Sequence, residues 1–196
     1  MPDCGAPVGD LRERRAEKSP PAPDGAPRAR PRDVQAEMTV RTAREEELAL
    51  LPEIERSADT LFQRLGIVFP PGPTVIEEIG ADARVLVAGE PPIAFAAVIE
   101  LDGHPHLEQI AVAAEFTGRG IGGLLLERVI AQAAGPLTLI TFRTVPWNGP
   151  WYARHGFTEL PGDRWGPRLR AHWQAEIDAG LHALGPRTVM WRRGGR

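Results

Sequence analysis

From Met38 onward, hydrophobic positions recur with two periods, and the switches between them mark out the elements. "MTVRTA" (38–43) alternates as a short strand, while "REEELALLPEIERSADTLFQRLG" (44–66) spaces its apolar residues near 3.6 and predicts a helix. Prolines and a glycine break "IVFPPGPTVIEEIGAD" (67–82), which reads as a loop or a short helix. Strand-like runs follow at 84–89, 92–101 and 104–114, separated by turn signals at Gly89-Glu90 and Asp102-Gly103. The third run leads into a glycine-rich loop and an amphipathic helix, "EFTGRGIGGLLLERVIAQ" (115–132). Beyond it the pattern predicts a strand at 137–144, a helical "NGPWYARHG" (148–156) and a strand "FTEL" (157–160). A long helix is expected over about 166–183, with Leu169, Trp173, Ile177 and Leu181 stacked at i,i+4, before a closing strand "RTVMWRR". An antiparallel meander followed by strand–helix–strand units implies a mixed α/β or α+β sheet with helices on its faces.

Residues 1–37 contain seven prolines, balanced charge and almost no large apolar residue. Such a segment cannot offset the entropy of ordering, so it is expected to be a disordered tail ahead of a domain at 38–196. A formal net charge of −3 argues against a nucleic-acid partner. No run of 18 apolar residues suggests a membrane span, and the first thirty residues lack the apolar stretch of a signal peptide. The single cysteine, Cys4, cannot close an intrachain disulfide; a cytoplasmic location is expected.

Four glycines between 118 and 123 open a helix at a point where backbone N–H groups lack partners and the helix dipole is positive. That combination is an anion site, suited to phosphate, with Arg119 available for a charged contact. A tight strand–helix turn is the structural alternative. The loop is not a Walker-type phosphate loop, because no lysine follows it. A dinucleotide fingerprint is disfavoured as well. The first three glycines have the wrong third interval, "LTLITF" offers no acid about twenty residues on, and the loop comes after three antiparallel-looking strands.

Two separated motifs give a resemblance. "TGRGIG" (Thr117, Gly118, Arg119, Gly120, Ile121, Gly122) resembles the Q/R-x-x-G-x-G/A pyrophosphate loop of the GNAT superfamily of N-acetyltransferases. Downstream, Asn148, Tyr152, Gly156 and Phe157 resemble that family's N-x-x-x-Y-x-x-x-G-F element. Thr117 departs from the motif, since it supplies a hydroxyl where the family has Gln or Arg. The resemblance spans about residues 39–193. It implies acetyl-CoA as cosubstrate, a mostly antiparallel sheet splayed between the strands near 112 and 138, and helices on both faces. It further implies that the backbone of Ile110, Ala111 and Val112 pairs with the pantetheine arm and that residues 117–123, Gly123 included, hold the pyrophosphate. Asn148 reads as a helix N-cap or a cofactor contact.

Transfer of an acetyl group to an amine needs a base for the ammonium and an acid for the leaving thiolate. Tyr152, the only tyrosine, stands where the family often places that acid. The alternative is packing with Trp151 and Phe157. His106 and Glu108 occupy the two positions where the family often sites its base. Two apart on a strand, they are expected to share a face with Ile110 and Val112. Burial beside Ile110 is expected to raise the Glu108 carboxyl toward a useful pKa, while His106 needs no shift. The alternatives are a solvated carboxylate and a surface histidine. No metal-ligand spacing is visible among the five histidines and Cys4, so no metal is expected. The acceptor, a small-molecule or peptide amine, is expected to lie against the first helices and the loop at 66–80, where Glu77 and Glu78 could attract it. A non-catalytic CoA-binding module of the same fold is the alternative function, and a homodimer built through the last helix and strand is possible.

Overall fold

The structure, a computed structural model, describes residues 38–194. The disordered tail expected at 1–37 lies outside the described residues. Seven strands form one sheet: β1 (Val40–Thr42), β2 (Arg84–Ala88), β3 (Ala94–Leu101), β4 (His104–Val112), β5 (Leu137–Phe142), β6 (Thr158–Glu159) and β7 (Arg187–Arg192). Their order across the sheet is β1-β2-β3-β4-β5-β7-β6. Every neighbouring pair is antiparallel except β4–β5. β7 is therefore flanked by β5 and β6, and its backbone is not a free edge for a second copy. None of the helices among the described residues is long and apolar enough to cross a membrane.

The helices are α1 (Leu51–Asp59), α2 (Val75–Glu78), α3 (Ile121–Gln132), α4 (Gly149–Arg154) and α5 (Pro167–Asp178). The helix expected over 44–66 is three pieces. 3-10 turns at Glu45–Leu50 and Thr60–Leu65 flank α1, which begins where Pro52 can occupy a first-turn position without losing a hydrogen bond. The helix expected to reach 183 stops at Asp178, because Gly180 turns the chain into the left-handed region at φ 80°. Leu181 thus leaves the apolar stripe and Ile177 is 40% exposed.

Alternation along the strands sorts the core onto two faces. Leu86, Ala96, Val98, Leu107 and Leu139 point to α3 and pack with Leu125, Leu126 and Val129. Each such leucine contributes about 1.5–3 kcal/mol on burial. On the opposite face, Val85, Val87, Phe95, Ala97 and Ala111 meet Leu51 and Ile54 of α1. Further along that face, Leu101, Ile140 and Val189 meet Leu169 and Trp173 of α5.

A distant cap fixes α5. The Asp102 carboxylate, in the β3–β4 turn, accepts the N–H groups of Arg168 and Leu169 at 3.0 Å each. A methyl group at Gly166 would overlap that carboxylate, so the close approach requires glycine there.

β4 carries a bulge. Ala97 pairs with Gln109 and Val98 with Leu107, which leaves Glu108 as an extra residue without a partner on β3. The side-chain alternation consequently flips at this point. Leu107, Ile110 and Val112 all lie on the α3 face, and His106 lies on the other. The expectation that His106 and Glu108 share a face with Ile110 and Val112 is therefore wrong, because a two-residue period does not survive an inserted residue.

Candidate active site

β4 and β5 pair only at His106 with Thr138 and Leu107 with Leu139. Past that point they diverge, and the sheet opens into a slot along the second half of β4. The N–H of Ile110 is turned toward this slot and away from β3; its acceptor is the Gln109 side-chain oxygen at 3.0 Å. The splay thus stands where the resemblance placed it.

At the end of β4 the chain makes a 3-10 turn (Ala114–Phe116) and enters α3 through the glycine loop. Gly118 (φ 75°) and Gly120 (φ 82°) adopt the left-handed conformation that glycine accepts without strain. Gly122 and Gly123 have no such need. A methyl at Gly122 would come no nearer than 3.7 Å to Val112, and one at Gly123 would meet nothing within 4 Å. The protein's own packing does not demand glycine at these two positions. The N–H groups of residues 118 to 123 donate to no acceptor among the described residues. Two side chains expected to help are turned back. The Thr117 hydroxyl donates to the Ala114 carbonyl (2.8 Å), and Arg119 donates to the Glu115 carbonyl (3.0 Å) while lying over the Phe116 ring. The loop therefore presents bare backbone N–H groups, rather than these two side chains, at the mouth of α3.

Asn148 and Tyr152 border the slot from α4. Asn148 occupies the N-cap position, but its side chain does not cap the helix. Its Nδ2 donates to the Thr141 hydroxyl on β5 (2.8 Å), and its Oδ1 is buried without a partner among the described residues. Tyr152 is buried between Trp151 and Phe157, edge-on to both rings. Burial pushes its phenol above the ordinary value, so it stays protonated across the working range and can give a proton but not take one.

The β4 residues proposed as bases meet a partner that the sequence did not reveal. His106 is 1% exposed, with Nδ1 hydrogen-bonded to the Thr138 hydroxyl at 2.8 Å. The Glu108 carboxylate lies 3.0 Å from His172 Nε2 on α5 and 3.8 Å from His106 Nε2. Burial drives His106 down to about 4, against the pull of Glu108, so it is neutral near pH 7. Burial pushes the Glu108 carboxyl up, but contact with His172 outweighs it and holds the group below the usual range. Contact with Glu108 raises His172 in turn. Both pKa expectations for β4 are thus corrected: Glu108 is anionic and paired, and His106 is a buried neutral ring. The donor atoms of His106, Glu108 and His172 lie within 4.8 Å of one another and could converge on a metal ion. A proton on His172 meets the same charge requirement. His172 is separated from Glu108 by two helices and two strands, and no spacing rule joins them.

On the acceptor side, Glu55 of α1 is a hub. It accepts the N–H groups of Val75 (2.9 Å) and Ile76 (3.1 Å) and the Gln109 side-chain N–H (3.0 Å). The loop between α1 and α2 crosses the slot, since Phe62, Ile67 and Phe69 pack on Phe142 and Val145 beyond the end of β5. Glu77 is not free to attract an amine. It closes a capping box with Thr74 and pairs with Arg56 at 2.7 Å. Trp147 is 39% exposed beside Phe62.

Residues 81–159 match the family model described as an acetyltransferase (GNAT) domain. Among solved structures, a GNAT-family acetyltransferase from Staphylococcus aureus Mu50 aligns at TM-score 0.61 and 14% identity, covering 81% of this chain and 99% of that one. N-acetylglutamate synthase from Neisseria gonorrhoeae, complexed with coenzyme A and N-acetyl-glutamate, aligns at TM-score 0.60 and 18% identity. That match covers 81% of this chain, which spans 35% of the synthase's length. The PaiA N-acetyltransferase from Thermoplasma acidophilum, in complex with coenzyme A, aligns at TM-score 0.54 and 15% identity, covering 80% and 98% of the two chains. At these identities the shared property is the fold.

Proposed function

Residues 81–159 belong to the GNAT acetyltransferase family, and from that premise we propose that the protein moves an acetyl group from acetyl-CoA to an amine by direct transfer in a ternary complex. The observation that carries this reading is the run of six unpaired N–H groups, residues 118 to 123, at the positive end of α3 beside the splayed strands. The pyrophosphate sits on that run, at Gly118, Arg119, Gly120, Ile121, Gly122 and Gly123, with Thr117 at its entrance. The pantetheine arm lies along the second half of β4, at Ile110, Ala111 and Val112. There the Ile110 N–H exchanges its Gln109 partner for the ligand. The unpartnered Oδ1 of Asn148 accepts a donor from the same arm.

Tyr152 protonates the leaving thiolate, a role supported by a phenol that burial keeps protonated. Glu108, anionic where the strands part, supplies negative charge for an incoming ammonium, and His172 holds its carboxylate. His106 braces the β4–β5 pairing through Thr138. The acceptor is a small-molecule or peptide amine, and the protein works in the cytoplasm, a placement supported by its lone cysteine. Any homodimer uses α5, whose Ile177 is exposed.

Binding and transfer are tested separately. Acetyl-CoA at a hundredfold excess over its dissociation constant is expected to stabilise the fold by about 2.7 kcal/mol. Incubation with pooled primary amines is expected to release thiol. A melting shift without thiol release from any amine would favour a CoA-binding module that lacks transfer activity.

A further inference from the structure

Glu55, Asp59 and Phe62 lie on one side of the first helix and its 3-10 continuation, at i, i+4 and i+7. The residues on either side of Asp59 fix where it sits. Glu55 binds Gln109 on β4, next to the N–H that faces the slot. Phe62 packs on Phe142 at the end of β5, with ring centroids 5.7 Å apart. Asp59 thus lies between these two contacts, on the side of the helix that faces the end of the sheet where β4 and β5 part. Asp59 is half-buried, and its carboxylate makes no hydrogen bond or ion pair among the described residues. A half-buried carboxylate without a cationic partner is costly unless a ligand supplies one.

We propose that Asp59 receives the acceptor amine: its carboxylate binds the ammonium group and takes its proton, while the acceptor's apolar body rests on the rim formed by Phe62 and Trp147. This deepens the acetyl-transfer reading and rests on it. In the step, R–NH₃⁺ gives a proton to the Asp59 carboxylate and becomes R–NH₂. The nitrogen lone pair forms a C–N bond to the thioester carbon, and the C–S bond breaks. The thiolate takes the Tyr152 proton, the excess proton on the new amide nitrogen restores the phenol, and the Asp59 proton passes to solvent.

The electrostatics agree with this placement. Burial first, and the charge of Glu55 second, push the Asp59 carboxyl up to about 7. The charged groups on neighbouring elements are already engaged or remote. Arg56 pairs with Glu77 of α2, Glu108 of β4 pairs with His172, and Glu115 lies in the exposed turn before the glycine loop, where its carbonyl holds Arg119. A base near pH 7 is what β4 fails to supply.

Two measurements test the proposal. The first is a carboxyl-¹³C NMR titration of the CoA-loaded protein, with Asp59→Asn used to assign the signal. A midpoint between about 6 and 8 is expected, and one below about 5 would overturn the assignment. The second is acetyl transfer to 2-phenylethylamine and to putrescine. Asp59→Asn is expected to cut turnover at pH 7 at least tenfold, with the gap closing near pH 9.5 as free amine accumulates. Equal turnover at pH 7 would overturn the base role, and equal use of the two amines would overturn the apolar acceptor class. Folding is checked by melting. A folded pKa above the unfolded one means that ionising Asp59 costs stability as pH rises. The Asn variant should therefore melt higher than the wild type above pH 7. If wild-type protein binds acetyl-CoA but acetylates neither amine, the apolar acceptor class fails and the NMR midpoint alone decides the base. Absence of any acetyl-CoA melting shift would instead remove the acetyl-transfer reading.

Discussion

Six consecutive backbone N–H groups form the proposed phosphate side of the cleft, whereas its proposed chemical side is assembled from side chains on four elements: Glu55 on α1, His106 and Glu108 on β4, Thr138 on β5 and His172 on α5. The first kind of site depends on one turn and on the absence of side chains. The second depends on elements far apart in sequence being docked within about an ångström, as the Asp102 cap docks α5. The two sides should therefore fail differently. A local change breaks the phosphate side alone, while the chemical side responds to substitutions and to pH through residues that never touch the ligand.

The largest expected effect concerns His106. Its folded pKa, about 4, lies below the unfolded value near 6.5. Between those values the unfolded chain binds a proton that the folded one refuses, so stability falls as pH drops through this window and is recovered above it. The shift corresponds to a loss on the order of 3 kcal/mol across the window. His106→Asn should flatten that part of the stability–pH curve, whatever its effect on the plateau. An unchanged slope in chemical denaturation between pH 4 and 6.5 would mean that the ring is not held neutral.

Next comes the phosphate side. Gly120→Val places a β-branched residue at φ 82° in the middle of the donor run. It should erase the acetyl-CoA melting shift of about 2.7 kcal/mol while leaving a cooperative melt without ligand. Retention of the shift would show that the anion is held elsewhere.

Tyr152→Phe keeps the packed ring and removes its proton. Turnover should drop by about 10²-fold if thiolate protonation limits the rate, with acetyl-CoA affinity little changed. Full activity would leave Tyr152 as a packing residue.

The smallest effect expected is at Glu108. Replacement by Gln is nearly isosteric and leaves His172 without its anion, so turnover should fall by about tenfold. The His172 titration should return toward 6.5, visible by NMR. A His172 midpoint that does not move would dissolve the pair as an electrostatic unit.

The meander, the glycine loop and the helix behind it were legible because each obeys a local period or a local backbone requirement. Gly118 and Gly120 take the conformation that only glycine adopts freely, and the cofactor residues follow in one stretch. The base was not legible. Two spaced residues, His106 and Glu108, were expected to share a face with Ile110, but one extra residue in β4 rotates them onto the other. Burial was expected to raise Glu108, but a histidine brought from α5 lowers it. Glu77 was offered as an attractant, and a capping box consumes it.

The sequence by itself determined the order of strands and helices, the turn at each end of β3, and a glycine-opened run of unpaired N–H groups at the mouth of α3. Hydrophobic period, glycine φ and unpaired N–H groups are properties of neighbours in the chain. Only the tertiary structure decided which carboxylates are paired and which stand free. Glu55, Glu77 and Glu108 each lie against partners from other elements, and Asp59, one turn from Glu55, has none among the described residues. The physical reason is that a side chain's charge state is set by whatever packs within a few ångströms of it. In this protein those neighbours come from parts of the chain that meet only when the sheet splays and α1 and α5 close over it.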